Sequence, residues 1–162
     1  AARIPAAMRQ AESLGLNLEG LHIFCGSQNL RAEAIIEANA RTLELAAALT
    51  AQAPRPFRSL NIGGGYGIPY FPGEQPLDLA AVGSALGDAL ERHRAALGGA
   101  RIVVELGRYL VGEAGYYLTR ITDLKESQGQ LFAMVDGGLH HHLSNSGNFG
   151  QVLRKNYPVV IA

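Results

Sequence analysis

The 162-residue chain has a single cysteine, Cys25, no tryptophan, and aromatic residues amounting to only 7%. One cysteine cannot form a disulfide within the chain, which excludes the disulfide-rich secreted scaffolds and makes a reducing, cytoplasmic setting the expectation. Excess charge of either sign is also lacking: 14 basic residues balance 14 acidic ones, and no block of like charge occurs. Nucleic acids and anionic membranes select a basic footprint, so neither is an expected partner. No apolar run approaches the roughly 18 residues of a helical membrane span, and no cationic-then-apolar leader pattern opens the sequence. Lysine is scarce, occurring only as Lys125 and Lys155. The sequence starts Ala1-Ala2-Arg3 without a methionine and stops on the strand-like run Tyr157-Pro158-Val159-Val160-Ile161-Ala162. Both ends are therefore expected to be cuts in a longer polypeptide.

Hydrophobic residues at 48% and charged ones at 17% describe an ordered chain with material for a sizeable core. Residues 20–25 form a short apolar run bounded by glycines, which predicts a buried strand. Across 33–53, Ile36, Ala40, Leu43 and Ala47 recur at helical spacing, with Ile35, Ala46 and Leu49 beside them, until Pro54 and Pro56. Residues 57–62 read as the next strand. Asp78 is placed to cap a second helix with the stripe Leu79, Val82, Leu86 and Leu90, ending at Gly98-Gly99. Residues 101–105 form a third strand. Strand, helix, strand, helix, strand predicts a parallel sheet with crossover helices. Beyond Gly115 no long helical stripe appears; 116–125 and 131–135 read as strands joined through Ser127-Gln128-Gly129.

Each predicted parallel strand runs into a cluster: Phe24-Cys25-Gly26-Ser27-Gln28, then Asn61-Ile62-Gly63-Gly64-Gly65-Tyr66-Gly67, then Glu105-Leu106-Gly107-Arg108. Ligands of parallel α/β folds bind at the carboxyl ends of strands, so the clusters are expected to converge. Glycine backbone amides, a serine hydroxyl and an arginine fork suit a phosphate. Glu105 fits if the ligand carries a cation at its other end. Blander readings exist for each: a tight turn for the glycines, a helix cap for Ser27, an ion pair of Glu105 with Arg108. The dinucleotide fingerprint fails because Ile68 stands where its last glycine belongs.

The run Leu21-His22-Ile23-Phe24-Cys25-Gly26-Ser27-Gln28 resembles the "H-x-G-S-Q" segment of pyridoxal-phosphate (PLP) decarboxylases of the alanine-racemase-like fold, the diaminopimelate and ornithine decarboxylase family. Asn61 to Tyr66 resembles their "D-x-G-G-G-F" loop, Glu105-Leu106-Gly107-Arg108 their "E-P-G-R", and Val135-Asp136-Gly137-Gly138 the "V-D-x-G" strand that follows. The stretch Ser146-Gly147-Asn148-Phe149-Gly150-Gln151, leading to Arg154-Lys155-Asn156-Tyr157-Pro158, is similar to a subgroup linked to exosortase or siderophore biosynthesis.

The resemblance implies roles. Gly63, Gly64 and Gly65, with Ser27, Gly107 and Arg108, would hold the phosphate, Leu106 standing where the family has proline. Glu105 would keep the pyridine nitrogen protonated, making the ring an electron sink. Phe24 occupies the place of a ring-stacking histidine, and Asn61 that of an aspartate. The lysine that binds the cofactor's aldehyde, within a "Y-A-x-K-A-N"-like segment, has no counterpart here. Nor does the family's later cysteine segment, to which Cys25 is not equivalent.

Further candidates are weaker. His140-His141-His142 invites a metal, but adjacent histidines on an extended segment point to opposite faces and no acidic or cysteine ligand lies near in sequence, so none is expected. His22 shares strand parity with Phe24, and facing the substrate or being a satisfied barrel histidine remain equal readings; His93 belongs to a helix surface. Glu105 with Asp136 as a hydrolase pair would leave the phosphate-type loops without a role.

The expectation is the C-terminal part of a PLP-binding (β/α)8 barrel (1–114) followed by the start of a mainly β domain (115–162). The implied reaction is decarboxylation of an amino acid by a homodimer. A racemase of the same fold and a non-catalytic PLP carrier are the alternatives. The substrate stays open between a basic amino acid, a diaminopimelate-like diacid, and an amino acid tethered to a carrier protein or citrate.

Overall fold

A computed structural model describes residues 3–138, 140–141 and 159–161. The chain divides into two compact units, 1–69 with 74–113, and 70–73 with 114–162. The first unit runs α1 (Ile4–Ser13), β1 (Gly20–His22), α2 (Ala32–Thr50), β2 (Ser59–Gly64), α3 (Leu79–His93), β3 (Arg101–Glu105) and a short α4 (Arg108–Val111). The three strands form a parallel sheet in the order β1-β2-β3. With helices in the crossovers, this is the mixed α/β arrangement expected of part of a barrel.

The helices form where the apolar period and the caps agree. Along α2 the buried positions are Ile35, Asn39, Thr42, Leu43, Ala46 and Leu49, one stripe at helical spacing. Asp78 caps α3 by accepting a 3.0 Å hydrogen bond from the Ala81 amide, a contribution of about 1 kcal/mol. That helix stops at His93, short of the expected glycine pair. Gly98 and Gly99, both at positive φ, turn the chain into β3 instead. The second strand also lies slightly later than its apolar run suggests. Phe57 is buried with Met8 of α1 and Leu49 of α2, and pairing begins only at Ser59.

Strand side chains alternate between two faces. Leu60 and Ile62 of β2 are buried with Leu43 and Ala46 of α2 and Ala89 of α3, while Leu21, Ile102 and Val104 pack against the same cluster. The intervening residues His22, Asn61 and Glu105 meet one another on the opposite face. The predicted buried strand at 20–25 needs correction. Pairing in β1 covers three residues, none of 20–25 is buried, and Cys25 is exposed with its Sγ 3.2 Å from Thr42 Oγ1. The cause is position: β1 lies at an edge of the sheet, so among the described residues only β2 pairs with it.

The second unit is an antiparallel hairpin of β4 (Ile121–Ser127) and β5 (Gln130–Val135). Ser127 pairs with Gln130, leaving Gln128 (φ 54°) and Gly129 (φ 73°) as a two-residue loop. Two positive φ values match the twist of the strands they join. The expected strand over 116–125 begins only at Ile121, because pairing with β5 starts there. Just past β5, Asp136 accepts from the Arg120 amide at 2.9 Å and from the Thr119 hydroxyl at 2.8 Å. These two donors, the amide first, hold its carboxyl below the ordinary carboxylate range.

A depressed value in the fold means that the stabilising contribution of Asp136 is present above the ordinary pKa of 3.8 and is lost as pH falls through the lower folded value. The Arg120 amide shift, followed by NMR through acid titration, is therefore expected to show a midpoint below 3.8. A midpoint at or above that value would mean that the two donors do not grip the ionised carboxylate.

Candidate functional site

The carboxyl ends of β1, β2 and β3 surround a cleft of about 250 Å³. Of the residues singled out from sequence, Phe24, Ser27, Gly64, Gly65, Glu105, Leu106, Gly107 and Arg108 line it, joined by Gly26, Gln28 and Tyr66. Gly63 is not among the lining residues. It is buried, its amide donates to Asn61 Oδ1 at 2.9 Å, and it lies in a register shift between Asn61 and Gly64. The clusters after the three strands thus reach one place, as the parallel topology requires.

Close backbone approach explains the glycines. A Cβ on Gly64 would collide with the Glu105 carbonyl oxygen, and one on Gly65 with that of Gly26. Gly65 also has φ +81°, where side chains are rarely tolerated. Beyond it the loops after β1 and β2 run side by side, Asn29 N–H bonding Gly65 O at 2.9 Å and Gly67 N–H bonding Asn29 O at 2.8 Å. Ser27 is free of the capping role: α2 starts after Arg31, whose amide donates to Asn29 Oδ1 at 2.9 Å.

Glu105 is held by residues on the other two strands of the sheet. Asn61 Nδ2 donates to its Oε1 at 2.8 Å, and His22 Nε2 lies 3.2 Å from its Oε2. The same Asn61 side chain accepts from Gly63, so one carboxamide ties the glycine loop to the carboxylate. Arg108 Nη1 donates to Gln28 Oε1 at 3.0 Å. Phe24 lines the cleft with 72% of its surface exposed. The sequence alone gives Gln28 only a place in its motif and Asn61 only the place of a family aspartate, without these partners. The cue for Asn61 was its alternation with the core residues Leu60 and Ile62, which sends it to the face of Glu105.

Other candidates are placed elsewhere. Lys125 lies on β4 in the hairpin unit, and Lys155 lies outside the described residues. So do His142 and the stretch 146–158 that carries the subgroup resemblance. His140 and His141 sit in a turn, not on an extended segment, with ring centroids 3.9 Å apart. A turn does not impose strand alternation, so the argument from opposite faces fails. Among the described residues no three His, Cys, Asp or Glu side chains are grouped as metal ligands would be.

A parallel α/β unit whose strand ends bring glycine backbone, a hydroxyl and a guanidinium to a cleft with a tethered carboxylate has the makings of a barrel for a phosphorylated, ring-cationic cofactor. Comparison with known proteins gives the family. Residues 1–112 match the model of the pyridoxal-dependent decarboxylase, pyridoxal binding domain, and the chain belongs to this family.

The chain is 34% identical over 141 residues to the L-glutamyl-[BtrI acyl-carrier protein] decarboxylase of Niallia circulans, covering 86% of this chain and 33% of that protein. It is 34% identical over 161 residues to the diaminopimelate decarboxylase of Methanothermobacter thermautotrophicus, covering 96% of this chain and 37% of that one. Among solved structures, diaminopimelate decarboxylase from Helicobacter pylori complexed with L-lysine superposes with a TM-score of 0.67 at 28% identity, covering 90% of this chain and 35% of that one. The chain spans about a third of the length of these relatives.

The cofactor this family implies is pyridoxal phosphate. The donor set suits its two charged ends: Ser27, Arg108 and side-chain-free backbone at Gly64 and Gly65 for an anion, and Glu105 for a protonated ring nitrogen.

Gly65 and Gly15 both have positive φ, but only at Gly65 would a Cβ meet neighbouring atoms within 4 Å. Replacing each with alanine separates backbone strain from close approach. Both variants are expected to lose stability through strain, about 1–3 kcal/mol, with Gly65→Ala losing distinctly more. Equal losses in chemical denaturation would show that the loops do not pass as closely as described.

Proposed function

We propose that this chain is the cofactor-cradling part of an enzyme that removes the α-carboxylate of an amino acid with pyridoxal phosphate. The observation that carries the reading is Glu105, fixed by Asn61 and His22 on the rim of a cleft whose other members are glycine backbone, Ser27 and Arg108. Pyridoxal phosphate, when bound there, would supply an electron-accepting pyridinium ring for the loss of the α-carboxylate. Glu105 holds the proton on the ring nitrogen. Ser27 and Arg108, with the backbone at Gly64, Gly65 and Gly107, bind the phosphate and fix the ring's position. Gly63 supports that backbone from behind, through its bond to Asn61. Phe24 offers a face for stacking where the family resemblance places histidine. Leu106 sits between the acid and the phosphate ligands and packs with Tyr66 and Val82.

A racemase of this fold is the alternative, and racemases of this fold are expected to avoid a carboxylate at the ring nitrogen. The substrate reading is an amino acid, free or tethered to a carrier protein, as the names of the Niallia and Methanothermobacter relatives suggest for those proteins. The lysine for the aldehyde would come from sequence outside this chain, and the working enzyme is read as a cytoplasmic homodimer. Residues 1–114 would be barrel, and 115–162 the opening of a β domain. Among the described residues no helix is long and apolar enough to cross a membrane.

Two experiments test this. Treating the 162-residue chain with pyridoxal phosphate and then borohydride is expected to give no stoichiometric adduct by mass spectrometry. A single clean adduct on Lys125 or Lys155 would refute the account of the missing lysine. In the complete enzyme, Glu105→Gln is expected to keep the cofactor but lose most turnover. Arg108→Ala should instead weaken cofactor binding by about 1.5–3 kcal/mol, the worth of a charged hydrogen bond. Unchanged turnover in Glu105→Gln would remove the electron-sink assignment.

A further inference from the structure

Gln28 stands just after β1 with φ +52°, in the left-handed region that a non-glycine residue enters at a cost. If the loop needed only that backbone shape, glycine would serve better. The side chain therefore has to repay its presence, and its contacts show how. Its carboxamide forms a two-way pair with the Ile68 main chain: Nε2 donates to Ile68 O, and the Ile68 amide donates to Oε1 at 3.3 Å. The same Oε1 accepts from Arg108 Nη1 at 3.0 Å. One side chain thus links the segments that follow β1, β2 and β3.

This arrangement suits the task of presenting a cation. Arginine has a long, flexible stem, and ordering it at the moment of binding costs affinity unless it is ordered beforehand. A carboxylate in the place of Gln28 would orient Arg108 equally well but would neutralise it. A carboxamide oxygen orients the guanidinium without adding a counter-charge of its own. The carboxamide itself cannot rotate freely, because both of its polar atoms are engaged with Ile68.

We propose that Gln28 is a positioning residue that aims Arg108 at the phosphate of the cofactor. This rests on the reading of Arg108 as a phosphate ligand. The discriminating pair of ligands is pyridoxal phosphate and pyridoxal, which share the ring and aldehyde and differ in the phosphate. Affinities for both are measured in the complete enzyme carrying Gln28→Gly, which suits the backbone, or Gln28→Asn, which tolerates it but is one methylene short.

Both variants are expected to lose about fivefold in affinity for pyridoxal phosphate and to leave pyridoxal binding unchanged. Arg108→Ala should lower the same preference for the phosphorylated ligand, and adding Gln28→Gly to it should lower it no further. Equal losses for both ligands, or no loss for either, would overturn the proposal by reducing Gln28 to a loop residue. If Arg108→Ala itself leaves the preference intact, the phosphate assignment of Arg108 falls, and the proposal with it. If Arg108→Ala removes the preference while Gln28→Gly keeps it, only the role of Gln28 is refuted.

Discussion

Gly63, Gly64 and Gly65 carry the end of β2 past main chain on both sides, past Ile23 and Gly26 after β1 and past Glu105 at the end of β3. Ordinary parallel pairing keeps neighbouring backbones far enough apart for side chains to alternate between two faces. Here a register shift between Asn61 and Gly64 alters that pattern, and the space normally given to side chains is taken up by carbonyl groups. The other contacts of the cleft depend on this passage. It brings the loop after β1 within hydrogen-bonding distance of the loop after β2 at Asn29, Gly65 and Gly67. It also leaves main-chain atoms, free of side-chain cover, at the rim facing Arg108 and Ser27.

The charges are arranged around two neutral amides. Asn61 uses its NH2 group toward the acid, donating to Glu105, and its oxygen toward the Gly63 amide. Gln28 uses its oxygen toward the base, accepting from Arg108. Each amide engages a charged group with the matching half of its dipole and cancels none of that group's charge. An aspartate at position 61, which the family resemblance would lead one to expect, would set a second negative charge beside Glu105. Asparagine gives the same reach and replaces that repulsion with a donated hydrogen bond. The two amides thus hold an acid at one side of the cleft and a base at the other without adding a counter-charge of their own.

Much of this was legible in the sequence because periodicity and punctuation are local. The stripe of α2, the Asp78 cap and the alternation of three parallel strands with helices follow from spacing alone, and the three clusters follow from the strand ends. What was not legible depended on neighbours. The apolar composition of residues 20–25 cannot reveal that β1 is an edge, so Phe24 and Cys25 are exposed where burial was expected. Phe57 has the composition of a strand residue, but Met8 and Leu49 claim it for the helix layer. The short α4 has too few residues to show a period. His22, Asn61 and Gln28 gain their meaning from partners 40 or more residues away, as in the bonds of Asn61 to Glu105 and of Gln28 to Ile68 and Arg108.

The sheet also indicates what the proposed chemistry still requires. Among the described residues, β1 and β3 each pair on one side only, and the face carrying His22, Asn61 and Glu105 remains open, with His22 and Glu105 both more than half exposed. Unpaired strand edges invite other strands, and a barrel satisfies them by closing. Among the described residues the hairpin also leaves Leu124, Leu131 and Phe132 exposed, and a two-stranded hairpin by itself is marginal in water. A lysine able to reach a ring held between Glu105 and Arg108 would have to approach over that open face, since loops and helices occupy the others. On the proposed reading, closing the sheet and supplying the lysine are therefore two demands placed on the same open face.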